Sequence, residues 1–345
     1  WRIREEGIFT LEKGKTFYTS NAGLLELRNE ICSYLERKIH VSYDPKHETL
    51  VTVGGSEAID IGLRCMLDPG DEVLIPQPSY VSYLPCTIMA DGVPVIVPLQ
   101  HENQFKLTVG DLEKYTTPRT KVLIMPFPNN PTGSIMTRED LEPVAEFVKE
   151  HDLYVMSDEI YSELTYGSEH VSIASLPGMR ERTIVINGFS KGFAMTGWRL
   201  GYCCGPAEII EQMTKLHQFA IMCAPTNSQY AAVEGLRNCD GEVQEMRRSY
   251  NQRRRFLMNE FKRMGLECFE PFGAFYVFPS IKEFGMSSEE FAERLLMEEK
   301  VAVVPGTAFG ECGEGFLRIS YAYSIEDLKE ALGRVEKFIQ KLRNV

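Results

Sequence analysis

The sequence lacks most features that mark membrane, metal-binding or nucleic-acid-binding proteins. No apolar run is long enough to cross a bilayer, and the six histidines show neither an H-x-x-x-H nor an H-x-H spacing. Basic residues are the minority, 37 against 49 acidic ones, and they form no long run. The resulting net charge of -12 argues against a nucleic-acid partner and against an anionic membrane surface. We therefore expect no metal ion, no membrane span and no nucleic acid.

Disulfide-type cysteine spacing is also missing. The nine cysteines are an odd number and include no C-x-x-C pair, although Cys203 and Cys204 are neighbours. This usage favours reduced thiols, most of them in the core, and a cytoplasmic location. What the chain does have is 345 residues with 43% hydrophobic content, which is enough to fill one large and one small domain.

Short β-branched runs alternate with amphipathic segments as far as Cys204. This alternation predicts an α/β fold, a mostly parallel sheet with helices on both faces and ligands at the carboxyl ends of its strands. Helical stretches at 207–220 and 242–264 then replace the alternation, and a smaller α+β domain follows from Leu266, with a last helix from Ile325. The predicted strands are 51–53, 72–75, 93–97, 121–125, 153–156, 183–186, 201–204, 274–278, 301–304 and 316–320.

The most informative segment is N-G-F-S-K-G-F-A-M-T-G-W-R-L-G-Y, from Asn187 to Tyr202. It places Lys191 just after an apolar strand and Arg199 eight positions further on. A lysine amine can form a Schiff base with an aldehyde, and the guanidinium fork suits a phosphate dianion. Ser190 offers a hydroxyl to the same anion. An isolated Ser-Lys pair would indicate only an exposed loop, but here the pattern predicts a site for pyridoxal phosphate.

The run from Ser190 to Tyr202 resembles the signature of class I/II aminotransferases, the fold-type-I family that uses pyridoxal phosphate. The resemblance extends from Tyr18 to Ala322 and is closest to the branch with prokaryotic aspartate and aromatic aminotransferases. It implies a large cofactor-binding domain over 31–240 and a small C-terminal domain over 241–345.

The same resemblance implies an N-terminal segment, 1–30, that packs on the small domain or on a partner subunit. In the family a further segment precedes this one and carries a glycine near the substrate carboxylate. Tyr18 belongs to the part that family members donate to the phosphate of the neighbouring subunit. We therefore expect a homodimer with shared active sites.

The segment from Val51 to Ala58 reads as a strand, a glycine turn and the first turn of a helix. Unpaired amides at a helix start form an anion cradle, which here would involve Gly55, Ser56 and Glu57. Such a turn is also a common structural corner. The nearby serine and arginine of the signature favour the cradle.

Asp158 ends an apolar strand, where burial of its carboxylate is costly without a cationic partner. The alternative role is an N-cap for a following helix. The resemblance implies that Asp158 keeps the pyridine nitrogen of the cofactor protonated, so that the ring can accept electrons. It also implies that Tyr161 binds the ring hydroxyl, whereas we interpret Glu159 as structural.

The turn F-P-N-N-P-T-G, from Phe127 to Gly133, resembles the N-P-T-G turn of the family. The resemblance implies that Asn130 reaches both the ring hydroxyl and the substrate carboxylate, while Asn129 shapes the turn. Tyr80 occupies the position at which the family stacks an aromatic ring on the cofactor. We interpret Tyr83 as a core residue.

Arg318 lies in the apolar strand from Phe316 to Tyr321, where a buried guanidinium needs an anionic partner. A structural salt bridge would satisfy this need. The resemblance implies instead that Arg318 binds the α-carboxylate of the substrate and draws the small domain over the large one. For a distal carboxylate we identify only Arg64 or a residue of the partner subunit.

These features predict an aminotransferase that moves the amino group of an aspartate-type or aromatic α-amino acid to an α-keto acid such as 2-oxoglutarate, through a Lys191 Schiff base. Once displaced, the amine of Lys191 carries the proton between the substrate Cα and the cofactor. A C–S β-lyase of the same fold is an alternative that the motifs do not separate. A cofactor-binding regulator is a second one, but its basic helix-turn-helix domain is not seen here.

Overall fold

A seven-stranded sheet forms the centre of the computed structural model, which describes residues 1–344. The spatial order is β1-β7-β6-β5-β4-β2-β3. Strands β2 to β6 are parallel, whereas β7 pairs antiparallel with both β6 and β1. The mostly parallel sheet predicted from the alternation is thus confirmed. The strands are β1 (Thr49–Thr52), β2 (Glu72–Gln77), β3 (Val93–Pro98), β4 (Thr120–Met125), β5 (Tyr154–Asp158), β6 (Thr183–Gly188) and β7 (Gly201–Cys204).

Helices cover both faces of this sheet, as the side chains of β4 show. Val122 and Ile124 belong to one buried apolar cluster, while Leu123 and Met125 belong to another. Successive strand residues point to opposite faces, so a strand that is apolar at every position must be buried on both sides. The helices are α1 (Arg2–Glu12), α2 (Leu25–Ile39), α3 (Gly54–Met66), α4 (Tyr83–Met89), α5 (Val109–Tyr115), α6 (Arg138–Glu150), α7 (Ala207–Ala220), α8 (Thr226–Asn238), α9 (Asp240–Met264), α10 (Ser288–Glu299) and α11 (Ile325–Arg343).

Helix boundaries follow local capping. At α6 the Thr137 hydroxyl accepts from the amide of Asp140, and the Asp140 carboxylate accepts from the amide of Thr137. At the other end of a long helix, α9 stops where Gly265 adopts a left-handed φ of 69°. The predicted limits of α7 and the start of α11 are confirmed. Helix α8 was not predicted from the sequence, because most of its residues are buried and it has no continuous polar stripe.

A second, three-stranded sheet lies in the C-terminal part of the chain, in the order β8-β10-β9. All pairs are antiparallel, and a separate apolar cluster packs the sheet against α9, α10 and α11. The predicted strand 301–304 is shifted, because only Val304 and Pro305 pair with β10. The domain limits at residues 30 and 240 stay a prediction. The strands are β8 (Tyr276–Val277), β9 (Val304–Pro305) and β10 (Leu317–Ser320).

Neither a membrane-spanning helix nor a metal-type cluster occurs in residues 1–344. None of the helices there is both long and apolar enough to cross a bilayer. Three or more His, Cys, Asp or Glu side chains do not converge on one point anywhere in that range. All nine cysteines are free thiols.

Candidate active site

A cavity of about 320 Å³ lies at the carboxyl ends of the parallel strands, where ligands of such sheets bind. Segments that follow β2, β4, β5 and β6 line it, and β10 of the second sheet closes one side. Two predicted site residues, Glu57 and Tyr18, do not line it. The predicted residues that it brings together are Gly55, Ser56, Tyr80, Asn130, Asp158, Tyr161, Ser190, Lys191, Arg199 and Arg318.

The start of α3 forms one wall of the cavity, and close backbone packing fixes its position. Gly54 has a φ of +77°, and a Cβ on it would lie 2.8 Å from Arg199 Nη2. A Cβ on Gly201 of β7 would lie 2.5 Å from the carbonyl carbon of Gly54. The two glycines therefore allow the guanidinium of Arg199 to lie beside the first helical turn.

Free amides of this helix start and the Arg199 guanidinium together favour an anion. The hydroxyl-bearing residues Ser56 and Ser190 line the same cavity. Within residues 1–344 no carboxylate forms an ion pair with Arg199, whose one hydrogen bond is a long one of 3.4 Å to the carbonyl of Thr196. A helix N-terminus next to an unpaired guanidinium suits a phosphate group.

The two remaining predicted cofactor contacts lie elsewhere. Glu57 Oε2 accepts a hydrogen bond of 2.5 Å from the amide of Val53, and its Oε1 lies 2.6 Å from His217 Nδ1 on α7. This carboxylate caps α3 and is turned away from the cavity. Tyr18 is 78% exposed in the single chain and does not line the cavity.

Lys191 lies in the turn after β6, with its amine facing the cavity. The Nζ atom is 5.9 Å from the centre of the Tyr161 ring and 5.8 Å from that of Phe275. No side chain in residues 1–344 forms a hydrogen bond or ion pair with this amine. Burial, assisted by the cations Arg199 and Arg318, lowers the pKa of the lysine. A larger neutral fraction makes the amine a better nucleophile and base.

Asp158, the last residue of β5, is buried without a cationic partner in the described chain. Its Oδ2 accepts a hydrogen bond of 2.7 Å from the Tyr83 hydroxyl, and its Oδ1 accepts one of 3.2 Å from the amide of Ile160. Burial raises the pKa of Asp158, and these two hydrogen bonds oppose that rise. A turn follows instead of a helix, so the N-cap alternative is wrong. The site suits a bound cation such as a protonated ring nitrogen.

Tyr83 is a site residue that the sequence reading missed. The prediction of a core position is correct for its ring, which is 2% exposed, but its hydroxyl is the side-chain partner of Asp158. The ring also lies edge-on to Tyr80, at 5.7 Å between centroids and 81° between planes. A buried tyrosine three residues after a predicted stacking residue was the available signal, because such hydroxyls need a partner.

Glu159 is structural, as the sequence reading proposed. It is fully buried and accepts hydrogen bonds from Ser157 and Ser172, and His170 Nε2 lies 2.8 Å from its Oε2. None of these contacts lies in the cavity wall that Asp158 forms.

Tyr161 is paired with Tyr276, a second residue that the sequence reading missed. The two hydroxyl oxygens are 3.0 Å apart, and either can donate. Burial raises the pKa of both phenols, so both keep their protons near neutral pH. Tyr276 lies on β8, opposite Ser320 of β10, and therefore on the same sheet face as Arg318.

Arg318 reaches the cavity from β10 with its charge uncompensated. Its Nη1 donates to Asn130 Oδ1 at 3.1 Å, and its guanidinium lies 4.7 Å from the ring centres of both Tyr276 and Phe309. The side chain is half-buried, not buried as the sequence reading proposed. No carboxylate in residues 1–344 pairs with it, so the structural salt bridge is not present there. Asn129, in contrast, only shapes the turn, since its Oδ1 accepts from the amide and hydroxyl of Thr132.

The family model described as aminotransferase class I and II matches residues 3–335. The chain belongs to this family. Class I/II aminotransferases depend on pyridoxal phosphate, and the cavity offers what that cofactor needs: an anion site, an unpaired amine and a buried carboxylate. The predictions of the family, the fold type, the cofactor and a transaminase activity are thus confirmed.

The proteins similar to this class I/II aminotransferase include enzymes with two different named activities. An aspartate aminotransferase of Pyrococcus abyssi is 49% identical over 98% of this chain and 88% of its own length. An aromatic-amino-acid aminotransferase of Thermococcus litoralis is 47% identical over 99% of this chain and 89% of its own length. The crystal structure of an aromatic aminotransferase from Pyrococcus horikoshii OT3 superposes with a TM-score of 0.97 at 47% identity, over 99% of this chain and 93% of that chain.

Proposed function

We propose that this aminotransferase takes the amino group from an aspartate-type or aromatic α-amino acid and delivers it to an α-keto acid such as 2-oxoglutarate. The observation that carries the proposal is the uncompensated guanidinium of Arg318 in the same cavity as the free amine of Lys191. A substrate with adjacent carboxylate and amino groups can engage both. The pairing of a fork with a carboxylate is bidentate and fixes the orientation of the Cα between them.

The described residues suit the parts of pyridoxal phosphate one by one. The phosphate would lie at the start of α3, with Ser56, Ser190 and Arg199 around it. The ring would stack on Tyr80, with its nitrogen at Asp158. The ring hydroxyl would lie within reach of Tyr161 and Asn130. Asn130 also accepts a hydrogen bond from Arg318, the residue proposed to bind the substrate carboxylate. When bound, the cofactor supplies an electron sink for the bond that breaks at the substrate Cα.

Lys191 has two tasks in this proposal. Its amine would hold the cofactor at rest, and once released it would take the proton from the substrate Cα and later give it back. Both tasks need a neutral amine, and burial lowers the pKa of Lys191 in the required direction. Asp158 would stabilise a positive charge on the ring nitrogen.

We do not assign recognition of the substrate side chain to Arg64. Its Nε donates to Asp60, and its Nη1 donates to the carbonyl of Met89, outside the cavity lining. Among the described residues, the arginines that line the cavity are Arg199 and Arg318. We therefore assign a distal carboxylate, where the substrate has one, to a residue of the partner subunit.

We also propose a homodimer with shared sites and a cytoplasmic location. Support for the dimer comes from apolar side chains that the single chain leaves exposed near the N-terminal segment and the end of α7, namely Phe17, Tyr18, Phe219, Ile221 and Met222. Free thiols throughout support a reducing compartment. We keep the limit at residue 240, because α9 begins at Asp240 and leads into the second sheet. The limit at residue 30 falls inside α2, and α1 packs on α8, within the predicted large domain.

An amino-donor panel tests the proposal. Aspartate, phenylalanine, tyrosine and tryptophan are each supplied with 2-oxoglutarate, and glutamate and the matching keto acid are measured. We expect equal amounts of both products from at least one donor. Release of ammonia and pyruvate from a sulfur amino acid without an acceptor, together with no glutamate from any donor, would favour the β-lyase alternative.

A further inference from the structure

Tyr276 contacts two polar residues of the cavity, Arg318 through its ring and Tyr161 through its hydroxyl. The ring lies 4.7 Å from the Arg318 guanidinium, and the hydroxyl lies 3.0 Å from that of Tyr161. Neither contact is a consequence of the other, because a phenylalanine would keep the first and lose the second. The residue therefore has one feature, the hydroxyl, that packing against Arg318 does not explain.

The position of Tyr276 is fixed by the second sheet. It pairs with Ser320, two residues after Arg318 on β10, so Tyr276 and Arg318 are diagonal neighbours on one face. The ring centre of Phe309 also lies 4.7 Å from the guanidinium. The backbone carbonyl of Phe309 accepts a hydrogen bond of 3.1 Å from the amide of Ser79. This bond connects Phe309 to the segment that carries Tyr80.

The shared hydrogen bond leaves one phenolic proton free. Two protonated phenols that form one bond with each other use one proton and retain one for another acceptor. Arg318 lies against Tyr276, and a cation beside a phenol favours proton donation by that phenol. The bond between the two phenols can run in either direction, and the cation against Tyr276 favours the arrangement in which Tyr276 donates to Tyr161 and Tyr161 directs its proton to the cavity.

We propose that Tyr276 is a positioning residue that links occupancy of the carboxylate site at Arg318 to the phenol of Tyr161. A carboxylate on Arg318 neutralises the charge beside Tyr276, which weakens its donation and changes the hydrogen bond that Tyr161 offers to the ring of the cofactor. Carboxylate binding at Arg318 thereby changes the hydrogen bonding of Tyr161 at the other end of the cavity. This inference rests on the proposed function, since it takes Arg318 as the carboxylate site.

The test uses Tyr276→Phe in the cofactor-loaded enzyme. The visible absorption of the cofactor is titrated with pH, without and with saturating succinate or 3-phenylpropionate, two carboxylates that carry no amino group. In the parent enzyme we expect the carboxylate to shift the midpoint of the titration. In Tyr276→Phe we expect that shift to fall by at least half, while the Kd of the carboxylate stays within about twofold because the ring remains under Arg318.

Two further variants separate the hydroxyl from general packing. Tyr250→Phe makes the same substitution outside the cavity lining, on α9, and is expected to keep the full shift. Tyr161→Phe removes the other member of the pair and is expected to reduce the shift as Tyr276→Phe does. The double variant is expected to add nothing further, because the two hydroxyls act through one bond. Tyr161→Phe also serves as the test if Tyr276→Phe does not fold.

Each outcome decides the inference. An unchanged shift in folded Tyr276→Phe overturns it, as does a parent enzyme whose titration does not respond to the carboxylate. Strictly additive losses in the double variant would also overturn it. The proposed function fails separately if Arg318→Ala binds succinate and 3-phenylpropionate as tightly as the parent enzyme does.

Discussion

Replacement of Arg318 tests the central claim about substrate binding. In Arg318→Ala the guanidinium that donates to Asn130 and faces the cavity is lost, together with its packing between Tyr276 and Phe309. Because no carboxylate of the described chain pairs with Arg318, its removal leaves no buried anion unpaired. We therefore expect a large effect on the substrate and a small effect on the fold.

The magnitude follows from the contact that is lost. A hydrogen bond to a charged group contributes about 1.5–3 kcal/mol, which corresponds to a roughly tenfold to more than hundredfold loss of affinity. We expect the KM for the amino acid to rise by this factor. We also expect kcat to fall, because a misplaced carboxylate leaves the Cα poorly aligned with the Lys191 amine. Arg318→Lys is expected to recover part of the loss, since a point charge does not reproduce the fork.

The assay measures KM and kcat for both variants beside their melting temperatures. Ser320→Ala is the matched control, because Ser320 lies two residues further on the same face of β10 but outside the cavity lining. The control is expected to keep the kinetic constants of the parent enzyme. A fall in melting temperature with unchanged KM and kcat in Arg318→Ala would assign this arginine to structure and refute the reasoning.

Other variants test the cofactor side of the cavity. Lys191→Ala is expected to abolish transamination and the absorption of the attached cofactor while the protein stays folded; full turnover would exclude this lysine as the base. Burial lowers the pKa of Lys191, so below that lowered pKa the charged amine destabilises the cofactor-free fold, and above the usual value of about 10.4 it does not. The unfolding free energy of cofactor-free Lys191→Met should therefore exceed that of the parent near pH 7, with the difference closing as the pH rises to about 10.4; a pH-independent difference in urea titrations would contradict this. Asp158→Asn is expected to retain the cofactor through the phosphate contacts but to lose most turnover, and unchanged kcat would leave Asp158 with only a structural role. Tyr83→Phe removes the 2.7 Å hydrogen bond to Asp158 and should lower kcat with little change in KM; equal kcat at equal cofactor occupancy would show that this bond does not matter.

The residues of the site that could be predicted from the sequence are single polar residues within or at the end of a predicted strand. Each of three residues, Lys191, Asp158 and Arg318, lies inside an apolar run or directly after one. Because burial of a charged side chain is costly, a functional role is the simplest explanation for its position there. The carboxyl ends of β5 and β6 lie next to each other in the sheet, so two of these residues had to meet. From the sequence alone, the alternation predicts that a ligand lies at the carboxyl ends of the strands, and the resemblance implies which residues meet there.

The parts that the sequence did not predict depend on pairs. Tyr83 reads as a core residue until its hydroxyl is seen on Asp158, and Tyr276 reads as a strand residue until its partner Tyr161, in the turn after β5, is known. Glu57 shows the converse case. Its position in the first turn of α3 suits a cradle, yet contact with His217 on the distant helix α7 turns the carboxylate away. Side-chain direction across elements far apart in sequence is set by packing, which periodicity does not encode.

The three ionisable groups of the site have one property in common that explains their arrangement. Lys191, Asp158 and Arg318 line a single cavity, but no ion pair within the described chain joins any two of them. Pairing would favour stability, because an uncompensated buried charge is costly. Neutral groups hold two of them instead, an amide at Arg318 and a phenol at Asp158. Such partners fix the direction of a charge without cancelling it, so the full electrostatic attraction remains for the bound cofactor and substrate.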